Sequence, residues 1–130
     1  MRQAPINVLL ADDDVAFLRA LRELIDSQPE LSVVASARDG VEALELADAA
    51  EVHAAVVDLH MPHLDGVATV ARLRSDHPEL CLIVLTGDPD ESLHRAALDA
   101  GADAVLEKHE MAQVLLDRLA ELGGNGEGRT

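Results

Sequence analysis

Five short apolar runs punctuate the chain, at residues 6–11, 31–37, 54–57, 81–85 and 104–106. The segments between them carry apolar residues at three- and four-residue spacing. Runs of that length suit buried strands, and that spacing suits helices with one apolar face. The helical stripes are Phe17, Leu18, Leu21, Leu24 and Ile25; Val41, Leu44, Leu46 and Ala47; Val67, Val70, Ala71 and Leu73; Leu93, Ala96, Ala97 and Ala100; and Met111, Val114, Leu115, Leu119 and Leu122. Pro29, Gly40, the pair His77-Pro78 and Gly101 fall where the stripes start or stop. The pattern is (βα)5. Strands joined by helical crossovers run parallel, and the right-handed rule for such crossovers spreads the helices over both faces of the sheet. The expected fold is α/β, a doubly wound five-stranded parallel sheet.

A chain of 130 residues is the size of one domain. Residues 1–122 hold all the periodic segments, and 123–130 read as a flexible Gly-rich tail or the start of a linker. Phe17 is the only aromatic residue, so the core is aliphatic. Twenty-five acidic against ten basic side chains give a formal charge of −15. That charge repels a phosphate backbone and anionic lipid, so direct nucleic-acid contact and membrane binding are not expected of these residues. The lone Cys81 lies in an apolar run and excludes an intrachain disulfide or a CxxC pair. No apolar stretch is long enough for a membrane span and the first seven residues are unlike a signal peptide, so a cytoplasmic location is expected.

In doubly wound sheets ligands bind beyond the carboxyl ends of the strands. Asp12, Asp13 and Asp14 follow the first run, Asp58 the third and Thr86 the fourth, and Lys108 follows the fifth after one residue. Carboxylates gathered at one edge repel unless a cation joins them, which implies a divalent metal. An all-oxygen set with room for water and phosphate favours Mg²⁺. Lys108 is the chain's single lysine among nine arginines. Its compact ammonium suits a point contact to a carboxylate or phosphoryl oxygen. The Thr86 hydroxyl, followed by Gly87, is able to donate a hydrogen bond to the same group.

These residues resemble the receiver domain of bacterial response regulators. The resemblance runs from Ile6 to Leu122 and rests on Val8-Leu9-Leu10-Ala11-Asp12-Asp13, on Val56-Val57-Asp58-Leu59-His60-Met61-Pro62 leading to Asp65-Gly66, on Ile83-Val84-Leu85-Thr86-Gly87, and on Ala100-Gly101-Ala102-Asp103-Ala104-Val105-Leu106-Glu107-Lys108. It implies a flavodoxin-like sheet of strand order 2-1-3-4-5. It also implies a signalling switch rather than an enzyme with a separate substrate, catalysing only its own phosphorylation and slow autodephosphorylation. Asp58 would accept a phosphoryl group from a sensor histidine kinase or a small phosphodonor. Asp12, Asp13, the Asp58 carboxylate and the backbone carbonyl of His60 would hold Mg²⁺, and Thr86 and Lys108 would contact the phosphoryl oxygens. His60 and Asp88 occupy positions that border that group and influence its lifetime.

Two positions depart from the family pattern. Val105 stands where many members carry the Tyr or Phe whose rotation accompanies activation, and His109 stands where a proline often follows the lysine. The first strand, the acidic triplet and Ala100-Gly101-Ala102 resemble receivers joined to LuxR-type DNA-binding domains, which implies transcription regulation. A stand-alone or degenerate receiver acting by docking alone is the other arrangement, and phosphorylation-dependent homodimerisation is common to the family. Three readings outside it are weaker. Asp12-Asp13-Asp14 contains the D-x-D of haloacid-dehalogenase-like phosphatases, but that leaves Asp58 unused. A zinc site from Asp58, His60, His63 and Asp65 is interrupted by Pro62. A flavin phosphate would be repelled by the acidic first loop, and no Gly-rich phosphate cradle is present.

Overall fold

The computed structural model describes residues 5–124. Strands and helices alternate as β1 (Ile6–Ala11), α1 (Val15–Asp26), β2 (Leu31–Ala37), α2 (Gly40–Ala49), β3 (Ala54–Asp58), α3 (Gly66–Asp76), β4 (Cys81–Thr86), α4 (Glu91–Ala100), β5 (Ala104–Glu107) and α5 (Met111–Gly124). A single 3-10 turn, Lys108–Glu110, joins β5 to α5. All pairings are parallel, in the order β2-β1-β3-β4-β5. This is the flavodoxin-like arrangement that the resemblance implies. Residues 125–130 of the expected tail lie outside the described residues, while Gly123 and Gly124 close α5.

Both faces of the sheet are covered, which is why the strands read as continuous apolar runs. Val8, Leu10, Val56, Ile83 and Leu85 pack with Leu18, Leu21 and Ile25 of α1 and Leu115 and Leu119 of α5. Leu9, Val57, Leu82 and Val84 turn the other way, onto Ala43 and Ala47 of α2, Val70 and Leu73 of α3, and Ala97 of α4. Among the described side chains, which leave out Met111, three stripe residues face solvent instead of the core: Val41, Ala71 and Val114. At α2 the small side chains of Ala43 and Ala47 let the helix approach the sheet, and Val41 rotates outward. At α5 Leu115 takes the inward place beside Val114. On β2 the pairing jumps from Val8↔Val33 to Leu9↔Ala35. Val34 is left out of the ladder as a bulge and is 41% exposed.

Each of the first four helices starts on an aspartate. Asp14, Asp39, Asp65 and Asp90 accept hydrogen bonds from first-turn amides of Phe17, Glu42, Ala68 and the Ser92-Leu93 pair. A short carboxylate there satisfies an amide that the helix leaves unpaired and lies at the positive end of the helix dipole. Gly101 ends α4 at φ +123°, where a side chain would also collide with Arg74. Arg74 donates to the carbonyls of Gly101, Pro78 and Leu80 and bridges Asp103 at 2.8 Å, fastening the end of α3 to the turn before β5.

Candidate functional site

Strand register assembles the site. Ala11 pairs with Val57, so Asp12 and Asp58 come next in line on adjacent strands. Asp58 pairs with Leu85, which sets Thr86 one residue beyond it. Thr86 pairs with Glu107, which sets Lys108 one residue further. Asp58, Thr86 and Glu107 are still paired in the ladder, so β3, β4 and β5 each run one residue past the apolar runs that announce them. Asp58 and Thr86 therefore hang from the hydrogen-bonded ladder, while Asp12, Asp13 and Lys108 stand on the residues just beyond it.

Asp12 and Asp58 are 3% and 6% exposed. Asp13 is exposed beside them, and one carboxylate oxygen from each of the three lies within 4.8 Å of the others. Among the described residues this is the group of His, Cys, Asp or Glu that is arranged to hold a metal ion. Lys108 Nζ is 2.7 Å from Asp12 Oδ2 and 3.6 Å from Asp58 Oδ1. Asp12 Oδ1 accepts the Asp14 amide at 2.9 Å, so both of its oxygens are engaged. Burial, then the neighbouring charge of Asp12, with a smaller push from Asp13, lifts the Asp58 carboxyl from 3.8 to about 6, against the pull of Lys108 and His60. Burial works against the Lys108 ammonium, but its hydrogen bond to Asp12 and the charges of Asp58, Asp12 and Asp14 outweigh it and hold the group above its usual value. An all-oxygen set crowded enough to push one member toward neutrality has the donor chemistry that a hard divalent cation fits.

Thr86 is fully buried, and its Oγ1 accepts the Asp88 amide at 3.0 Å. A hydroxyl that accepts one bond still has its own proton to donate. Across the mouth of the site His60 Nε2 lies 2.9 Å from Asp88 Oδ2. The Asp90 amide and then His60 hydrogen-bond the Asp88 carboxylate and hold it below the ordinary range. Gly66 closes the floor: its amide donates to the Leu59 carbonyl at 2.9 Å, and a Cβ there would run into the carbonyl oxygen of Asp58 and Cα of Leu59.

The expected site residues thus fall together: Asp12, Asp13, Asp58 and Lys108 make one cluster, Thr86 stands at the adjacent strand tip, and His60 spans to Asp88. The zinc set disperses, since His63 Nδ1 pairs with Asp39 at 3.0 Å and Asp65 caps α3. The second acid of the D-x-D is likewise used as the α1 cap. Asp14, counted in the sequence only among the acids after the first run, and Phe17, given no part in the site there, belong to its frame. Asp14 fixes the start of α1, and Phe17 presents its ring to Lys108 Nζ, 4.2 Å from the centroid. Their signal was the first-turn spacing from Asp14 to the chain's one aromatic residue. A separate cleft lined by His53, Asp76, His77 and Leu122 among others contains none of the cluster's residues.

The family described as the response regulator receiver domain matches residues 8–120. The nitrate/nitrite response regulator protein NarP of Escherichia coli (strain K12) is 35% identical over 115 residues, covering 88% of this chain and 54% of that protein. Protein-glutamate methylesterase/protein-glutamine glutaminase 4 of Myxococcus xanthus (strain DK1622) is 38% identical over 109 residues, covering 83% of this chain and 31% of that protein. The chain therefore spans only part of the length of these curated relatives. Among solved structures, the signal receiver domain of an HD domain-containing protein from Pseudomonas fluorescens Pf-5 superposes with a TM-score of 0.83 at 32% identity, over 92% of this chain and 94% of that one.

Proposed function

The chain belongs to the response regulator receiver domain family, and from that membership we propose that Asp58 is the carboxylate that takes the phosphoryl group. The observation that carries this reading is the placing of Asp58, buried and with its pKa raised, between two acids and the single lysine. In the transfer an Asp58 oxygen attacks phosphorus, the bond to the donor breaks, and an acyl phosphate remains on the chain. Phosphoryl transfer is largely positioning and charge neutralisation, so the residues needed are those that hold oxygens in place. Lys108 moves its ammonium from Asp12 toward a phosphoryl oxygen, and the Thr86 hydroxyl donates to another. Asp12, Asp13, the Asp58 carboxylate and the His60 backbone carbonyl would hold Mg²⁺. That ion, when bound, supplies the positive charge that lets three carboxylates coexist and offsets the added phosphoryl charge.

The donor in this reading is a sensor histidine kinase, the receiver unit spans residues 1–122, and the compartment is the cytoplasm. No described helix is long and apolar enough to cross a membrane. The output is control of an attached DNA-binding domain, and so of transcription, or of a partner protein, with homodimerisation following phosphorylation. The part-length match to a nitrate/nitrite response regulator supports this assignment. Incubation with acetyl phosphate and Mg²⁺ should label the wild type and leave Asp58→Asn unlabelled, and beryllofluoride should bind only the former. Equal labelling of the two would remove Asp58 from its role. A change in sedimentation with beryllofluoride tests the dimer.

A further inference from the structure

Resting on the reading of Asp58 and Lys108 given above, we infer that Phe17 is a positioning residue for phosphoryl transfer: its ring face carries the Lys108 ammonium at the edge of the Asp12–Asp58 pair.

The geometry closes a circuit. Lys108 Nζ donates to Asp12 Oδ2 at 2.7 Å, Asp12 Oδ1 accepts the Asp14 amide at 2.9 Å, and Asp14 Oδ1 accepts the Phe17 amide at 3.1 Å. The ring returns to Nζ at 4.2 Å from its centroid, inside the range where the negative face of an aromatic attracts a cation. The loop that offers Asp12 as a partner therefore also sets the ring against the same ammonium. Core packing alone does not ask for an aromatic here. Phe17 is only partly buried at the margin of the cluster formed by Leu18, Leu21, Leu115 and their neighbours, and every other member of that core is aliphatic or Cys81. A leucine would fill such a place without attracting a cation.

Lysine has a flexible four-carbon stem, and an ammonium held only by carboxylates would have to release one of them to engage a phosphoryl oxygen. Attraction to a ring face tolerates sliding across it, unlike a hydrogen bond with its angular demand. Lys108 can then exchange Asp12 for phosphoryl oxygen while still resting on Phe17.

The test uses the chain's single lysine, whose isotopic labelling yields one unambiguous spin system. In the wild type and in Phe17→Tyr, the Lys108 Hε protons should be shifted upfield by the ring current, and in Phe17→Leu they should return to ordinary positions. With acetyl phosphate and Mg²⁺, Phe17→Leu should label at Asp58 about 3- to 30-fold more slowly, the span of a partly desolvated cation–π contact, while Phe17→Tyr retains the wild-type rate. Thermal melting of all three separates this from a loss of fold, since a packing defect would slow Phe17→Leu only as far as it unfolds. Wild-type labelling matched by Phe17→Leu, or a Phe17→Tyr as slow as Phe17→Leu, would overturn the inference and leave the phosphoacceptor reading intact. A wild type that is not labelled at Asp58 would overturn that reading, and the positioning role would fall with it.

Discussion

Burying Asp58 beside Asp12 makes its ionised form unfavourable, and the protein's pH dependence should carry the mark. The native carboxyl holds its proton to about 6, whereas an ordinary one releases it near 3.8. Between those values the native state binds more protons than the unfolded chain, so stability falls as pH rises, by about 3 kcal/mol once both are ionised. Asp58→Asn removes this cost. In EDTA near neutral pH the variant should withstand unfolding better than the wild type by about 2 kcal/mol, and Mg²⁺ should stabilise the wild type more. Urea titrations with and without the metal check both, and a less stable Asp58→Asn would contradict the charge argument. His60 and Asp88 share one hydrogen bond, so His60→Ala and Asp88→Ala should each alter the decay of the phosphorylated protein more than its formation. The double variant should add little to either single one. Unchanged decay of labelled protein in both singles would contradict the assignment.

Helix starts and strand ends give these side chains their accuracy. Asp14→Ala should cost about 1 kcal/mol through the lost α1 cap and, by loosening the first turn, should also weaken the Phe17 ring-current signature on Lys108. Gly66 is more stringent, because an added Cβ there would meet backbone of Asp58 and Leu59 that cannot swing aside. Gly66→Ala should destabilise the domain by about 2–3 kcal/mol and slow labelling at Asp58, measured by melting and by acetyl phosphate kinetics. The strands were legible in the sequence because burial on both faces leaves no polar alternation to confuse them. Their ends were not, since the ladder continues through Asp58, Thr86 and Glu107 after the apolar run has stopped. Helix faces were legible where the stripe is built of Leu and Ile, as on α1. On α2 the stripe held at Leu44, Leu46 and Ala47 but not at Val41, where Ala43 makes the close contact instead. The role of Phe17 was hidden because an aromatic on a helical stripe reads as core, and only the assembled fold brings its ring to Lys108.

For the molecule as a whole, two groups of carboxylates pull stability in opposite directions. Asp39, Asp88 and Asp90 are held below the ordinary range, by the Glu42 amide and His63, the Asp90 amide and His60, and Ser92 respectively. Their contribution is present above the usual carboxylate pKa and is lost as pH falls below it. Asp58 acts the other way, and its contribution is lost as pH rises toward 6. The metal-free domain should therefore be most stable in the mildly acidic interval between, with the upper limb abolished in Asp58→Asn, as chemical denaturation across pH can show. The acid-rich site was readable from sequence because its members end successive strands; the pairing of His60 with Asp88 was not, since they lie 28 residues apart and meet only through the β3–β4 contact. That strand-by-strand register has a temporal side. Asp12 comes from just after β1, Asp58 from β3, Thr86 from β4 and Lys108 from just after β5, so no fragment lacking the last strand holds a complete site. During synthesis Asp58, the acceptor proposed above, emerges long before Lys108, and a half-made or misregistered chain offers a phosphodonor an isolated acid rather than a receptive one. On the proposed reading, competence to be phosphorylated is a certificate of completed folding, issued only when the final strand has been laid down.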